Sequence, residues 1–368
     1  MKICFLAPAN NYHTKKWCNW FASQGHEVHV VSFIKDSIDN VTVHYIDTGA
    51  SSDSSDSKKI KYLLKAGQVK KIVDEICPDI VNVHYATSYG TVAALAGLKS
   101  YILSVWGSDV YDFPQKSFLH RWMLEYSLYK AKYIFSTSQA MADETHKYTK
   151  KKIEITPFGV NMDLFNPNKR TRSYDLQQDG KFIVGTVKAL TPKYGIDYLL
   201  RAVSIIKKEH PEIPIYVRIA GKGEKELEYK ELAEQLEIAD IVTWLGFIPQ
   251  EEAAREWANM DIAVIPSLQE SFGVSAVEAQ ACQVPVIISD VPGLKEATRP
   301  QISSVVLEKI DAREIADDIL QLYENEHLRI AYGIAGRKFV DREFEINHCF
   351  KKIEKIYEKY NYIEKNIK

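Results

Sequence analysis

The sequence predicts an α/β protein made of two doubly wound parallel sheets in tandem. Short β-branched or aromatic runs alternate with helical segments along most of the chain. The alternation stops once, in the polar, aperiodic stretch NKRTRSYDLQQDG between Pro167 and Gly180, and then restarts. A chain of 368 residues is also too long for one comfortable core and about right for two. The expected division is 1–168, 169–345 and a C-terminal helix over 346–368 that packs on the N-terminal domain.

In the first half, strands are expected over 2–6, 27–33, 41–46, 80–85, 101–105 and 133–136, each a short run rich in Val, Ile, Phe or Tyr. Helices are expected over 14–24, where Thr14 starts and Gly25 stops the segment, and over 58–77, 117–131 and 139–148. The low-complexity ASSDSSDS over 50–57 has nothing to bury and reads as a solvated loop. After the polar break come strands over 182–188, 215–220, 241–245, 262–265, 286–289 and 303–307. Helices lie between most of them, over 196–207, 224–236, 250–260 and 274–282, with another over 312–323. The stretch 327–360 is helical with a break near Phe344. Ligands of open α/β sheets bind outside the carboxyl ends of the strands, so the facing strand ends of the two domains are expected to form a cleft.

Composition narrows the partner class. Hydrophobic residues make up 46% and charged residues 26%, and no apolar run approaches the ~20 residues of a membrane span. The first nine residues read as a strand rather than a signal peptide, which implies a cytoplasmic protein. A net charge of −2 argues against general attraction to nucleic acid and favours a small-molecule partner. The five cysteines form no C-x-x-C pair, so neither a disulfide framework nor a zinc site is indicated.

One stretch concentrates the chemistry. ESFGVSAVEA over 270–279 follows an apolar strand, turns at Gly273 and opens a helix. Glu270 precedes that helix and Glu278 lies inside it, while the helix N-terminus offers N–H groups to an anion. A strand end, a turn and two carboxylates outline a nucleotide-sugar site.

With the second sheet placed, the chain resembles the GT-B retaining glycosyltransferases of family 4, the glycosyl transferases group 1. The likeness rests on the E-x7-E element of Glu270 and Glu278, on VGTVKALTPKYGIDYLL over 184–200, and on IAGKGE over 219–224 and WLGFIP over 244–249. GSDV over 107–110 and TPFGVNMDLFNP over 156–167 also fit. The resemblance implies a metal-independent enzyme without a cofactor, in which the nucleotide-sugar is a co-substrate bound by the second domain and the acceptor is bound by the first. It implies that Lys188 and Lys193 meet the diphosphate and that Glu270 faces the transferred sugar. Cations at a departing diphosphate stabilise the transition state more than the ground state. Glu278 would accept from ribose hydroxyls. The backbone of Phe272, Gly273 and Val274 would hold sugar and phosphate oxygens, and the turn of Gly246, Phe247 and Ile248 would read the base. Retention would leave the acceptor proton on the departing phosphate oxygen, and the D-x-D spacing of a metal-held diphosphate is absent from the sequence.

Two positions depart from the family pattern. The turn after the first strand, PANNYHTKKW over 8–17, has no glycine, so Asn11 and His13 stand where backbone usually approaches the donor. Trp106 precedes Gly-Ser-Asp where relatives often carry His, and an indole cannot relay a proton. Asp109 either orients that loop or touches the acceptor. Basic and aromatic residues over 113–122, FPQKSFLHRW, and the lysines over 58–71 suit either a solvated basic face or a peripheral contact with anionic membrane. The expected activity is hexosyl or N-acetylhexosaminyl transfer from a UDP-linked donor to a glycan or polyprenyl-diphosphate-linked acceptor in cell-surface polysaccharide synthesis. A non-catalytic sugar-nucleotide subunit and a nucleotide-sugar epimerase are the alternatives.

Overall fold

The computed structural model describes residues 1–49, 60–175 and 180–366. The solvated loop expected over 50–57, together with Lys58 and Lys59, lies outside the described residues. The chain divides into two compact units, one of Met1–Phe158 with Cys349–Lys368 and the other of Gly159–His348.

In the first unit the strands are β1 (Lys2–Leu6), β2 (Glu27–Ser32), β3 (Thr42–Tyr45), β4 (Ile80–His84), β5 (Ile102–Val105), β6 (Tyr133–Ser136) and β7 (Ile153–Ile155). They form one parallel sheet in the order β3-β2-β1-β4-β5-β6-β7. The central strands are buried along their length, as parallel strands covered by helices on both faces must be. The helices are α1 (Tyr12–Ser23), α2 (Ala66–Ile76), α3 (Ser88–Leu95), α4 (Ser108–Tyr111), α5 (Phe118–Lys130) and α6 (Gln139–Thr145). A 3-10 segment, Ile60–Lys65, stands where the first turns of a helix were expected.

The second unit contains β8 (Phe182–Val187), β9 (Ile215–Ala220), β10 (Val242–Gly246), β11 (Ile262–Ile265), β12 (Val286–Ser289) and β13 (Ser304–Leu307). All pair in parallel in the order β10-β9-β8-β11-β12-β13. Around them pack α7 (Ile196–Glu209), α8 (Glu226–Gln235), α9 (Gln250–Asn259), α10 (Val274–Ala281), α11 (Pro292–Ala297), α12 (Ala312–Glu324) and α13 (Glu326–Phe344). The apolar stripe of α7, from Ile196 through Leu199, Leu200 and Val203 to Ile206, closes one core face over Val184, Val217 and Val264.

Residues 159–175 belong to this second unit. Arg170 and Arg172 both pair with the buried Asp261, at 2.6 and 3.1 Å, and a backbone bond joins Val160 to Phe344. The polar run that looks like a linker in sequence is therefore partly tied down by buried charge pairing.

The last helix, α14 (Ile346–Asn366), contributes Phe350, Ile353, Tyr357 and Tyr360 to the core of the first unit. Phe350 stacks on Trp20, Tyr357 on Phe21 and Tyr360 on Tyr133, while Glu354 meets His26 at 2.7 Å.

Several boundaries differ from the sequence reading. The cap of α1 is Asn11, whose side chain accepts from the N–H groups of His13 and Thr14, so the helix starts earlier than Thr14 suggests. Helix α3 went unseen because nearly all of it is buried and so lacks polar periodicity. Strand β7 and helix α11 were missed because they are short.

Candidate active site

Each sheet has one place where its strand order reverses, and chemistry-bearing side chains gather at both. In the second unit the reversal falls between β8 and β11. Lys188 follows β8, Glu270 lies beyond β11, and the two form an ion pair with only 9% of each side chain exposed. The Lys188 ammonium also lies 4.5 Å from the centre of the Tyr194 ring, and that of Lys193 lies 5.4 Å from the same ring. The Tyr194 ring therefore lies against both lysines, although nothing in its sequence position announces the role.

Backbone contacts hold these loops together. Leu268 N–H donates to the Lys193 carbonyl at 2.8 Å, tying the loop after β8 to the loop after β11. Gly221, with φ of +142°, passes so close to Lys188 that a Cβ there would fall 1.8 Å from its carbonyl oxygen. At Gly293 a Cβ would fall 2.4 Å from the carbonyl oxygen of Glu270, so α11 presses directly on the Glu270 backbone.

Gly273 caps α10 in left-handed geometry with φ of +91°. The first intrahelical bonds come from Ala276 and Val277 back to the Gly273 carbonyl, so the N–H groups of Val274 and Ser275 precede them. Phe272 is buried against Phe344. Glu278 is buried within α10 and accepts from the Trp257 indole N–H at 3.4 Å, a partner that sequence reading missed. At the end of β10, Gly246 has φ of +66° and its carbonyl accepts from Gly221 N–H at 2.7 Å, while Phe247 is 76% exposed. Ile248 is half-buried beside it.

In the first unit the reversal falls between β1 and β4. His13, in the first turn of α1, stacks on Phe158 with ring centres 4.0 Å apart and meets Trp106 edge-on at 5.9 Å. Trp106 in turn lies 4.3 Å from His84 at the end of β4 and 4.9 Å from Tyr85. Asn11 reaches the Tyr85 hydroxyl at 3.4 Å, and Tyr85 sits at φ of +69°, unusual for an aromatic residue. Both ring nitrogens of His84, Nδ1 of His13 and the indole nitrogens of Trp17 and Trp106 are buried without a hydrogen-bond partner among the described residues. Burial pushes the His84 imidazole down to about 3 and holds that of His13 well below its ordinary value, so both rings are neutral at pH 7.

Asp109 accepts from the N–H groups of Ala86, Trp106 and Gly107 at 2.8–3.1 Å and is buried. Its burial raises the carboxyl above its usual range, opposed by those three N–H donors. It joins the ends of β4 and β5. His84 carried no motif in sequence and enters the cluster only because β4 and β5 are neighbours.

Two parallel sheets, each gathering ionisable and aromatic residues where its strand order reverses, define a GT-B type protein. Residues 2–138 match the family model described as glycosyl transferase 4-like, and residues 168–339 match that for glycosyl transferases group 1. The chain belongs to the family-4 type of group 1 glycosyltransferases. It is 27% identical over 306 residues to an uncharacterised glycosyltransferase of Methanocaldococcus jannaschii, covering 81% of each chain. It is 31% identical over 212 residues to a D-inositol 3-phosphate glycosyltransferase of Pseudarthrobacter chlorophenolicus, covering 56% of this chain and 50% of that one, so the match spans about half of that relative's length. The solved structure of Anabaena HepE with UDP and glucose superposes with a TM-score of 0.80 at 16% identity, over 98% of this chain and all of that one.

Proposed function

We propose that the chain is a retaining glycosyltransferase that moves a hexosyl or N-acetylhexosaminyl residue from a UDP-sugar to a glycan or polyprenyl-diphosphate-linked glycan acceptor in cell-surface polysaccharide synthesis. The observation that carries the reading is the buried Lys188–Glu270 pair where the strand order of the second sheet reverses, next to the N-terminal turn of α10. The solved HepE complexes with UDP and UDP-glucose support a UDP-linked donor.

The arrangement suits departure of a diphosphate. Lys188 and Lys193 supply positive charge, and the N–H groups of Val274 and Ser275 supply donors at a helix start. Glu270 holds Lys188 in place and lies where a carboxylate can face the sugar's developing positive charge. Glu278 takes the ribose hydroxyls, with its carboxylate oriented by Trp257. The turn of Gly246, Phe247 and Ile248 lies along the base. In the reaction the bond from the anomeric carbon to the diphosphate oxygen breaks, and the acceptor oxygen bonds to that carbon on the same face. The acceptor proton passes to the departing phosphate oxygen. No residue at position 106 is needed as a base, and no metal is required. The neutral cluster of His13, His84 and Trp106, with Asn11 beside it, is the proposed acceptor contact. Asp109 orients its loop. The protein would act in the cytoplasm, at the inner face of the membrane that carries such acceptors.

The test is nucleotide release from a panel of UDP- and GDP-sugars, without acceptor and with a membrane extract. Acceptor-dependent UDP release supports transfer, and it should persist in EDTA. Conversion of the donor without acceptor would point to an epimerase, and binding without turnover under every combination to a non-catalytic subunit.

A further inference from the structure

We propose that the outward face of α5 in the first unit is a docking surface for an anionic lipid bilayer. Leu124, Ser127 and Leu128 turn inward, and α3 packs against the same helix. A water-soluble helix should then be polar on its other face. Here the other face carries Phe118, Trp122, Tyr126 and Tyr129, at spacings of four, four and three residues, with Leu119 beside them. Phe118 is 84%, Leu119 60%, Trp122 50% and Tyr129 71% exposed. Trp122 and Tyr126 stack with ring centres 5.4 Å apart, which presents them as one plate.

Size and charge select the occupant. The exposed rings and Leu119 offer on the order of 500 Å² of mainly apolar surface, at the upper end for a patch on a soluble protein. A stable protein–protein contact needs roughly 800 Å² from each partner, so this single row of side chains is too narrow for one. A bilayer interface has no such requirement, and it favours Trp and Tyr, whose rings are apolar and whose tips are polar. Over 113–130 the cations are Lys116, Arg121 and Lys130, and the one carboxylate is Glu125, engaged by Arg121 at 2.8 Å. The Lys130 ammonium lies 5.6 Å from the Tyr126 ring and 5.8 Å from that of Tyr129, at the edge of the aromatic row, where it would meet headgroup phosphates as the rings enter the acyl boundary.

The lysines of α2 contribute less than their number suggests, because Lys70 pairs with Asp74 and Lys71 with Glu75. Among the described residues no helix is long and apolar enough to cross a membrane, so the contact would be a surface one.

The inference rests on the membrane contact proposed above but not on the transfer reaction, and its test contains neither donor nor acceptor, so either can fail alone. The full chain is floated with vesicles of phosphatidylcholine alone and with vesicles containing phosphatidylglycerol. The protein should float with the anionic vesicles, at least ten-fold less with the neutral ones, and release in high salt. The double variant Phe118→Ser/Trp122→Ser should lose at least ten-fold in binding with an unchanged circular dichroism spectrum. Leu227→Ser, which alters an equally exposed side chain in the second unit (70% exposed), should bind as the parent does. Equal flotation of the double variant and the parent overturns the proposal, as does failure of the parent to float with anionic vesicles. Sedimentation velocity is the second measurement. A parent dimer that the double variant abolishes would assign the face to a second copy of the chain and overturn the lipid reading.

Discussion

Lys188 and Glu270 come from loops 82 residues apart in sequence, yet each is the other's partner. Removing one leaves the other buried and uncompensated, a loss of order 3 kcal/mol or more in closely comparable settings. Glu270→Gln is the more informative change, because it keeps the shape and removes the charge. It should lower transfer at least 100-fold while the second unit still melts cooperatively, at a reduced temperature, and near-parental kcat would sink the assignment. Asp318 on α12 gives a cleaner electrostatic prediction. Its burial, with Glu314 and Asp317 nearby, pushes its carboxyl up to about 6. A raised acid favours the native state below its ordinary value near 4, and that advantage is lost as pH rises through 6. Asp318→Asn should therefore raise the thermal midpoint by about 2 °C at pH 8 and by much less at pH 4, as a calorimetric pH series would show.

At the scale of elements, loops and short helices do the positioning. Asn11 caps α1 and also reaches Tyr85, so Asn11→Ala should cost the first unit about 1 kcal/mol in urea unfolding. Gly293 at the start of α11 lets that helix press on the Glu270 backbone. Gly293→Ala should lower kcat more than it lowers the melting temperature, because the methyl displaces the loop that carries Glu270. A change confined to stability would show that the contact only packs. Element type was readable wherever amphipathic periodicity survived, as in α7 and α12, and unreadable in α3, whose burial on nearly every side erases it.

For the molecule as a whole, the two units are expected to respond differently to acid. In the first unit His13 and His84 are buried neutral, so unfolding lets them gain protons below pH ~6.5. Stability contributed above that value is lost as pH falls toward 3. The first unit should thus show a steeper decline in acid than the second, and the imidazole NMR signal of His84 should stay at its neutral position to pH 4. A His84 titration near pH 6.5 would contradict its burial.

Local patterning alone was enough for two alternating halves and for the turn that carries Glu270 and Glu278, because strand runs and glycine turns are encoded within a few neighbouring residues. The family, and with it Lys188 and Lys193 as residues to watch, came from the resemblance of several short motifs in order. Folding was needed to reveal that Lys188 and Glu270 pair, that Tyr194 lies beneath both lysines, that Trp257 meets Glu278 and that His84 stands beside Trp106. The Tyr194 contacts are set by the fold of the single loop after β8, and the other three depend on which strands and helices become neighbours. In a parallel sheet, strand neighbours are set by crossovers many residues long, whose packing no short window of sequence records.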